Sequence, residues 1–285
     1  MQTLVDKLVN LLEIERLELN LFRGESRNIL GKRVFGGQVL GQALVAAGRT
    51  VESDRNVHSL HAYFLRAGDA SAPIIYEVER ARDGGSYSTR RIVAIQHGRP
   101  IFNMSASFQV TESGYEHQFP APEAPPPEGL ENEWDILMRH RDQLPETYQD
   151  SFVKARPIEI RPTRAEDPMN PVKEDPVRQT WFRTAAALGE DPLIHQALLA
   201  YASDYGLLAT ALLPHGRSMF QRRTQMASLD HAMWFHRPFR MDEWLLYSMD
   251  SPSASNARGF TRGNIFNRDG VMIASVAQEG QLRPL

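Results

Sequence analysis

Hydrophobic positions along this chain change period several times, and the changes occur in the same order in each half. The opening run MQTLVDKLVNLLEIERLEL has the three-to-four-residue spacing of an amphipathic helix. A short strand is predicted at Leu17–Arg23 and an apolar helix at Val34–Gly48, which opens on two glycines. Four runs of strand character follow, separated by turn residues: Val57–Leu65, Ile74–Arg82, Tyr87–Gln96 and Ile101–Val110.

The middle of the chain differs in composition from both flanks. PAPEAPPPEG is rich in proline, and a short polar helix is predicted around Asn132–Gln143. Strands are then predicted near Ala155–Arg161 and Val177–Thr184, followed by an apolar helix at Pro192–Leu213. The last four strand runs are Thr224–His236, Trp244–Ser251, Ala257–Phe266 and Val271–Gln278. We therefore expect an N-terminal repeat over 1–110, a linker with a short helix over 111–154, and a C-terminal repeat over 155–285.

Short matches between the halves share one offset of 169 residues. FGGQVLGQAL against DYGLLATAL sets Gly37 against Gly206, and the strand matches set Ser59 against Ser228 and Gln109 against Gln278. An apolar helix followed by four antiparallel strands indicates a sheet wrapped around a central helix. The predicted fold is thus α+β, a double hotdog of two tandem antiparallel sheets, each wrapped around its own helix.

The second apolar helix carries one carboxylate, Asp204. Asp191 is the predicted N-cap and Pro192 the first helical residue. A charge on a helix that is apolar nearly all round needs hydrogen-bonding partners or a raised pKa. A structural aspartate or a helix break at Asp204-Tyr205-Gly206 are the alternatives. At the common offset the first half has Phe35 in its place, which favours a functional site kept in one half.

Asp204, Ser228 and Gln278 are the candidate catalytic residues. A carboxylate, a hydroxyl and a carboxamide can together hold a water, and the carboxylate can take a proton from it as it attacks a carbonyl carbon. For Ser228 and Gln278, ordinary strand polarity is the alternative. No G-x-S-x-G motif surrounds any serine, which disfavours a covalent serine mechanism.

Several motifs taken together closely resemble the acyl-CoA thioesterase II family over about 21–281. They are VFGGQVLGQAL, HSLHAYFLRAGD, LDHAMWFHRPF, EWLLY and SASNARGF. The resemblance implies a double hotdog fold and hydrolysis of acyl-CoA, of medium to long chain, to fatty acid and CoA without a metal or organic cofactor. It places the family's catalytic aspartate, hydroxyl residue and glutamine at Asp204, Ser228 and Gln278. Some members have threonine at the hydroxyl position. It also implies further oligomers, a dimer or a tetramer.

Other polar residues have less support. Gly36-Gly37-Gln38 is a candidate source of oxyanion donors, with glycines that only allow close helix–sheet packing as the alternative. Four histidines, His58, His61, His231 and His236, have no standard zinc spacing, and Ser228 and His231 are odd-spaced for a triad. Four arginines could meet CoA phosphates or lie on a solvated sheet edge: Arg90, Arg91, Arg258 and Arg262.

Composition narrows the partners and the compartment. The formal charge of −3 gives no reason to expect nucleic acid, and the absence of cysteine excludes disulfides and thiolate sites. No apolar run was found to approach about 18 residues, so no membrane span is expected, and the chain is expected in the cytoplasm. The alternative functions are a hotdog enoyl-CoA hydratase, for which His195 is far from Asp204 in sequence, and a non-catalytic acyl-CoA-binding module.

Overall fold

A computed structural model describes residues 1–27, 33–145, 156–164, 167–221 and 224–285. Its four α-helices, within those residues, are α1 Gln2–Leu12, α2 Gly36–Gly48, α3 Glu133–Arg139 and α4 Pro192–Ser203. The strands of the first half are β1 Glu15–Glu18, β2 Leu21–Gly24, β3 Arg55–Phe64, β4 Ile74–Asp83, β5 Tyr87–Gln96 and β6 Arg99–Val110. Those of the second half are β7 Ile158–Pro162, β8 Val177–Thr184, β9 Thr224–Ser228, β10 Asp230–Phe235, β11 Leu245–Ser255, β12 Arg258–Asn267 and β13 Met272–Pro284.

All these strands belong to one antiparallel sheet built from two halves of identical strand order. The order is β1-β2-β4-β5-β6-β3 in the first half and, from its own edge inward, β7-β8-β11-β12-β13-β10 in the second. The halves join where β3 pairs with β10, with Leu60 opposite Met233. This join removes an exposed edge from each half. The mirrored order confirms the double hotdog.

The two central helices pack against each other in antiparallel directions. Gly37 and Gly41 of α2 lie against the backbone of Tyr201 and Ala197 of α4, so a Cβ at Gly41 would come 3.0 Å from the Ala197 carbonyl oxygen. Close approach of two backbones requires such small residues. The packing brings the N-terminus of α2 beside the C-terminus of α4, where Asp204 lies. The contact shows that Gly37 and Gly41 allow close helix–helix packing, whereas the alternative from the sequence is packing of a helix on the sheet.

Several predicted elements have different bounds. The helix predicted at Pro192–Leu213 ends at Ser203, with Gly206 at φ +72°, and a 3₁₀ helix follows at Leu208–His215. Asp204 therefore lies at a helix break. The strand predicted at Leu17–Arg23 is part of the β1–β2 hairpin. Residues 146–154 of the predicted linker and Ala155, the first residue of the next predicted strand, lie outside the described residues.

The offset of 169 residues is wrong as a structural alignment. Buried side chains in β6 are Met104, Ala106 and Phe108, so Gln109 points to the other face, whereas Gln278 lies on the buried face of β13. Strand side chains alternate between faces, and a one-residue shift exchanges them. Phe35 likewise caps α2 at its N-terminus and is no counterpart of Asp204 at the end of α4.

One segment reaches the length and hydropathy of a membrane-crossing helix. Pro192–His215 spans 24 residues with a mean hydropathy of 1.2 in its most apolar window, of which 78% is buried within the fold. The segment is longer than the apolar runs expected from the sequence, none of which approaches about 18 residues. Its burial matches a core helix, because the sheet and α2 surround it.

Candidate active site

Asp204 lies at the junction of the two central helices. It is the C-cap residue of α4, and its Oδ2 accepts a hydrogen bond of 3.0 Å from the backbone N–H of Gly37, the second residue of α2. The first N–H groups of a helix have no partner within the helix and carry a partial positive charge. They are therefore well suited to hold a carboxylate.

Gln278 binds the other carboxylate oxygen. Its Nε2 donates to Asp204 Oδ1 at 2.9 Å and to Ser228 Oγ at 3.0 Å. Because an ionised carboxylate only accepts hydrogen bonds, the amide nitrogen must face Asp204. Gln278 is fully buried on β13. Ser228 is the last residue of β9 and lies opposite Gly280 of β13. The structure thus brings together all three residues predicted from the sequence.

The surroundings of Asp204 oppose its ionisation. Desolvation in the fold raises the pKa of its carboxyl, and the hydrogen bonds from Gln278, Gly37 and Ser228 partly offset this effect by stabilising the charged form. A carboxylate whose pKa lies above its usual range is a stronger base than a solvated aspartate. Such a group is suited to accept a proton from water.

A cavity of about 330 Å³ opens beside Asp204. On one wall, Phe35 stacks on Tyr205 with ring centroids 4.9 Å apart, and Tyr201 contacts both rings edge-on. Three arginines also line the cavity, Arg156, Arg178 and Arg217. The N-terminal half therefore supplies Phe35 and the Gly37 N–H to a site whose carboxylate comes from the C-terminal half.

A buried network fixes the backbone immediately before Asp204. The Tyr247 hydroxyl donates to the Ser203 carbonyl oxygen at 3.0 Å, and Ser203 Oγ lies 2.9 Å from His231 Nε2. Burial lowers the pKa of His231 to about 3, so the ring is neutral near pH 7. Sequence reasoning missed Tyr247 and Ser203. An apolar strand and a helix end give no local signal of such contacts.

The remaining histidines have structural partners or lie apart. His231 binds Ser203 and not Ser228, which excludes the triad weighed from the sequence. His195 lies at the opposite end of α4, where its Nε2 meets the Gly189 carbonyl oxygen and its Nδ1 accepts from Met241 N–H. Among the described residues no group of three His, Cys, Asp or Glu side chains could hold a metal ion.

The four arginines proposed for phosphate are already paired with carboxylates. Arg90 is 1% exposed and donates to Asp83 at 2.6 Å, so it is part of the core and not of a solvated edge. The other three pair with carboxylates at the surface: Arg91 with Glu79, Arg258 with Glu279 and Arg262 with Asp250. These three arginines are solvated, but they lie on the interior strands β5 and β12 and not at an edge of the sheet.

The helix N-terminus is only partly available for an oxyanion. Gly37 N–H is engaged by Asp204 and Gln38 N–H by the Phe35 carbonyl oxygen. Within the described part of the chain, Gly36 N–H has no hydrogen-bond partner. A Cβ at Gly36 would lie 2.8 Å from Asp204 Oδ2, which places Gly36 next to the carboxylate.

The fold has a close counterpart among solved structures. The crystal structure of an acyl-CoA thioesterase II, TesB2, from Mycobacterium marinum is similar with a TM-score of 0.80 and 43% identity, over 98% of each chain. The fold and site thus define a hotdog-fold thioesterase.

The sequence comparisons specify the family. The model described as acyl-CoA thioesterase matches residues 147–281, and that of the acyl-CoA thioesterase N-terminal domain matches 25–109. Acyl-CoA thioesterase 2 of Haemophilus influenzae is 41% identical over 99% of both chains, and human acyl-coenzyme A thioesterase 8 is 44% identical over 95% of this chain and 87% of its own. The chain belongs to the acyl-CoA thioesterase family and is an enzyme that hydrolyses acyl-CoA thioesters.

Proposed function

We propose that Asp204 is the general base that activates the hydrolytic water, with Ser228 and Gln278 as its partners. A water on the open side of the carboxylate loses a proton to Asp204 as its oxygen attacks the thioester carbon. The tetrahedral intermediate then breaks the carbon–sulfur bond and releases the CoA thiolate. The proton held by Asp204 passes to that thiolate, which restores the carboxylate and leaves a fatty acid and CoA.

The observation that carries this proposal is the two-sided fixation of the carboxylate. Gly37 N–H binds Oδ2 and Gln278 Nε2 binds Oδ1, so both oxygens are oriented while each keeps a further lone pair for water. Ser228 accepts from Gln278, which leaves its own proton to donate toward Asp204 or the water. A structural aspartate needs no accessible cavity, yet Asp204 lines one.

The oxyanion of the intermediate requires donors at the same place. Gly36 N–H is the candidate in this chain, since it lies beside Asp204 at the positive end of α2. Of the donors predicted in Gly36-Gly37-Gln38, the Gly37 N–H is already bonded to Asp204, which leaves the Gly36 N–H as the candidate.

The enoyl-CoA hydratase alternative needs an acid–base histidine beside the aspartate. His195 is nine residues earlier on α4, about 13 Å along a helix that rises 1.5 Å per residue. Both its ring nitrogens are engaged by backbone groups. A non-catalytic binding module would not require a carboxylate with both oxygens held beside an accessible cavity, as Asp204 has here.

We further propose two repeats, 1–110 and 155–285, joined by 111–154, in a cytoplasmic homo-oligomer, a dimer or a tetramer, without a membrane span. β6 ends at Val110 and β7 begins at Ile158, which supports these boundaries. Tyr63 and Trp234 are 59% and 36% exposed on the outer face of the sheet, which favours association there. Light scattering after size exclusion tests the oligomer, and a monomeric mass would contradict it.

The assay for the base is CoA release from decanoyl- and hexadecanoyl-CoA, followed with a thiol reagent. We expect hydrolysis by the wild type of these medium and long chains and a loss of at least about 1,000-fold in kcat for Asp204→Asn. Equal rates would remove Asp204 from the mechanism. Release by neither protein would favour the binding module, and hydration of crotonyl-CoA would favour the hydratase.

A further inference from the structure

A second, apolar cavity lies directly behind Tyr205. It lies between the end of α4 and strands β7, β8 and β11, and most of its lining is apolar, including Ile158, Ile160, Phe182 and Met249. Four residues line both this cavity and the cavity that contains Asp204: Glu133, Arg178, Tyr205 and Gly206. Tyr205 has the largest side chain among the apolar and aromatic residues of this shared set and forms part of the wall between the two cavities.

The chemistry of the two cavities matches the two ends of an acyl-CoA. CoA is highly charged, and the cavity at Asp204 is the polar one of the two. Arg156, Arg178 and Arg217 line it, together with the carboxylates Glu133, Asp167 and Glu174. The acyl chain is apolar and gains free energy only where it leaves water, which the cavity behind Tyr205 offers. With the thioester carbon at Asp204, the CoA part occupies the charged side and the chain points toward Tyr205.

Tyr205 closes this path as the structure stands. Its ring stacks on Phe35 at 4.9 Å, and its hydroxyl lies 3.1 Å from the Tyr201 hydroxyl. The apolar cavity holds only about 40 Å³, while a single water occupies roughly 10–15 Å³ by the same measure. Only a few carbon atoms fit there, so a longer chain must displace the Tyr205 ring.

We infer that Tyr205 determines the acyl-chain length that this enzyme accepts, and that the apolar cavity between α4 and strands β7, β8 and β11 receives the end of the chain. This inference rests on the proposed function, since it assumes that the thioester lies at Asp204. Ile160 of β7 lines the same cavity, so a larger side chain there would reduce its volume. Substitutions of Tyr205 and of Ile160 should consequently change chain-length preference.

The test compares kcat/KM for butanoyl-, hexanoyl-, decanoyl- and hexadecanoyl-CoA. Tyr205→Ala joins the cavities and should raise the ratio of hexadecanoyl- to hexanoyl-CoA hydrolysis by about 10-fold or more, since each methylene accommodated in an apolar pocket is worth that order of discrimination. Tyr205→Phe keeps the wall and should keep the wild-type ratio. Ile160→Phe fills the cavity and should lower the ratio. Tyr115→Ala, at a fully exposed tyrosine outside both cavities, is the matched control.

The outcomes separate the two proposals. Unchanged ratios in both Tyr205→Ala and Ile160→Phe would overturn the role of Tyr205 even if Asp204→Asn is inactive. If Tyr205→Ala does not fold, Ile160→Phe decides alone, because an unchanged ratio there refutes the location of the chain. Failure of Asp204 as base would instead appear as equal activity of Asp204→Asn with every chain length.

Discussion

Gly36→Ala is the substitution that most selectively disturbs the proposed base. A Cβ built at Gly36 would lie 2.8 Å from Asp204 Oδ2 and 3.1 Å from two carbons of the Phe64 ring. Ordinary contacts of a Cβ start near 3.4 Å. Because the ring restricts movement on its side, the carboxylate has to move by about 0.6 Å, the difference between these two contacts.

A shift of this size predicts a loss of activity with little loss of stability. Misplacement of a catalytic group by about 1 Å can cost about 100-fold in rate, so we expect kcat to fall by about 10- to 100-fold. The first position of α2 accepts alanine well, and alanine there reduces the freedom of the unfolded chain. The free energy of unfolding should therefore change by less than about 1 kcal/mol.

The assay is kcat for decanoyl-CoA hydrolysis, together with urea unfolding of the same preparations. Gly85→Ala is the matched control, since nothing lies within 4 Å of a Cβ at that glycine, and it should behave as wild type. Wild-type kcat in Gly36→Ala, with a folded protein, would refute the placement of Asp204 against the start of α2. A collapse in stability would mean that Gly36 serves packing alone.

Four further substitutions, at three positions, test the partners of Asp204 and the buried histidine bonded to the preceding residue, Ser203. Gln278→Leu removes a donor that lowers the pKa of Asp204, so the acid limb of the kcat/KM–pH profile should move to higher pH and kcat should fall. An acid limb at the wild-type pH would contradict the role of Gln278 as a donor to the base. Ser228→Thr keeps the hydroxyl and should retain kcat within about 10-fold, whereas Ser228→Ala should lower kcat about 100-fold. An equal decrease of kcat in both variants would exclude a role of the hydroxyl group. His231 has its pKa lowered from 6.5 to about 3, so it stays neutral in the folded protein while the unfolded chain takes up a proton as the pH falls. The free energy of unfolding that is present above about pH 6.5 should therefore drop by about 2 kcal/mol between pH 7 and pH 5. In urea unfolding, His231→Gln should show a flatter pH dependence than the wild type, and an identical dependence would argue against this contribution.

The apolar helices and their caps were predictable because local chemistry determines them. Asp191 accepts from Leu193 N–H at 3.0 Å with Pro192 at the first helical position, as side-chain capping and proline geometry require. The predominantly apolar α2 and α4 could only be stable when buried, and both form the core. The fold class followed from these helices and the alternating strands.

The registration of the two halves was not predictable from short matches. Gln109 and Gln278 share a residue type but lie on opposite faces of their strands, and a slip of one residue suffices to produce that difference. The asymmetry inferred between Phe35 and Asp204 consequently had no structural basis. In the sequence the apolar helix singles out Asp204, and the offset is what links Ser228 and Gln278 to it. Since that offset is wrong as an alignment, the family resemblance is the sequence argument that still supports the set.

The contacts that orient the base were also beyond local reasoning. Gly37 and Asp204 are 167 residues apart in sequence, and they meet only because α2 and α4 pack in antiparallel directions. The break of the helix at Asp204 depends on Gly206 at φ +72°, a conformation that glycine adopts readily but does not announce. Tertiary packing therefore decides which N–H group the carboxylate receives.

Direct attack of water at the thioester is tested most directly by a single turnover in H₂¹⁸O with enzyme in excess over acyl-CoA. Proton abstraction by Asp204 predicts one ¹⁸O atom in the released fatty acid and none in the peptide that contains Asp204, measured by mass spectrometry. A covalent route through the aspartate, with water attacking the Asp204 carbonyl, would place the label in that peptide and leave the fatty acid unlabelled. That second result would contradict the role of Asp204 as a base.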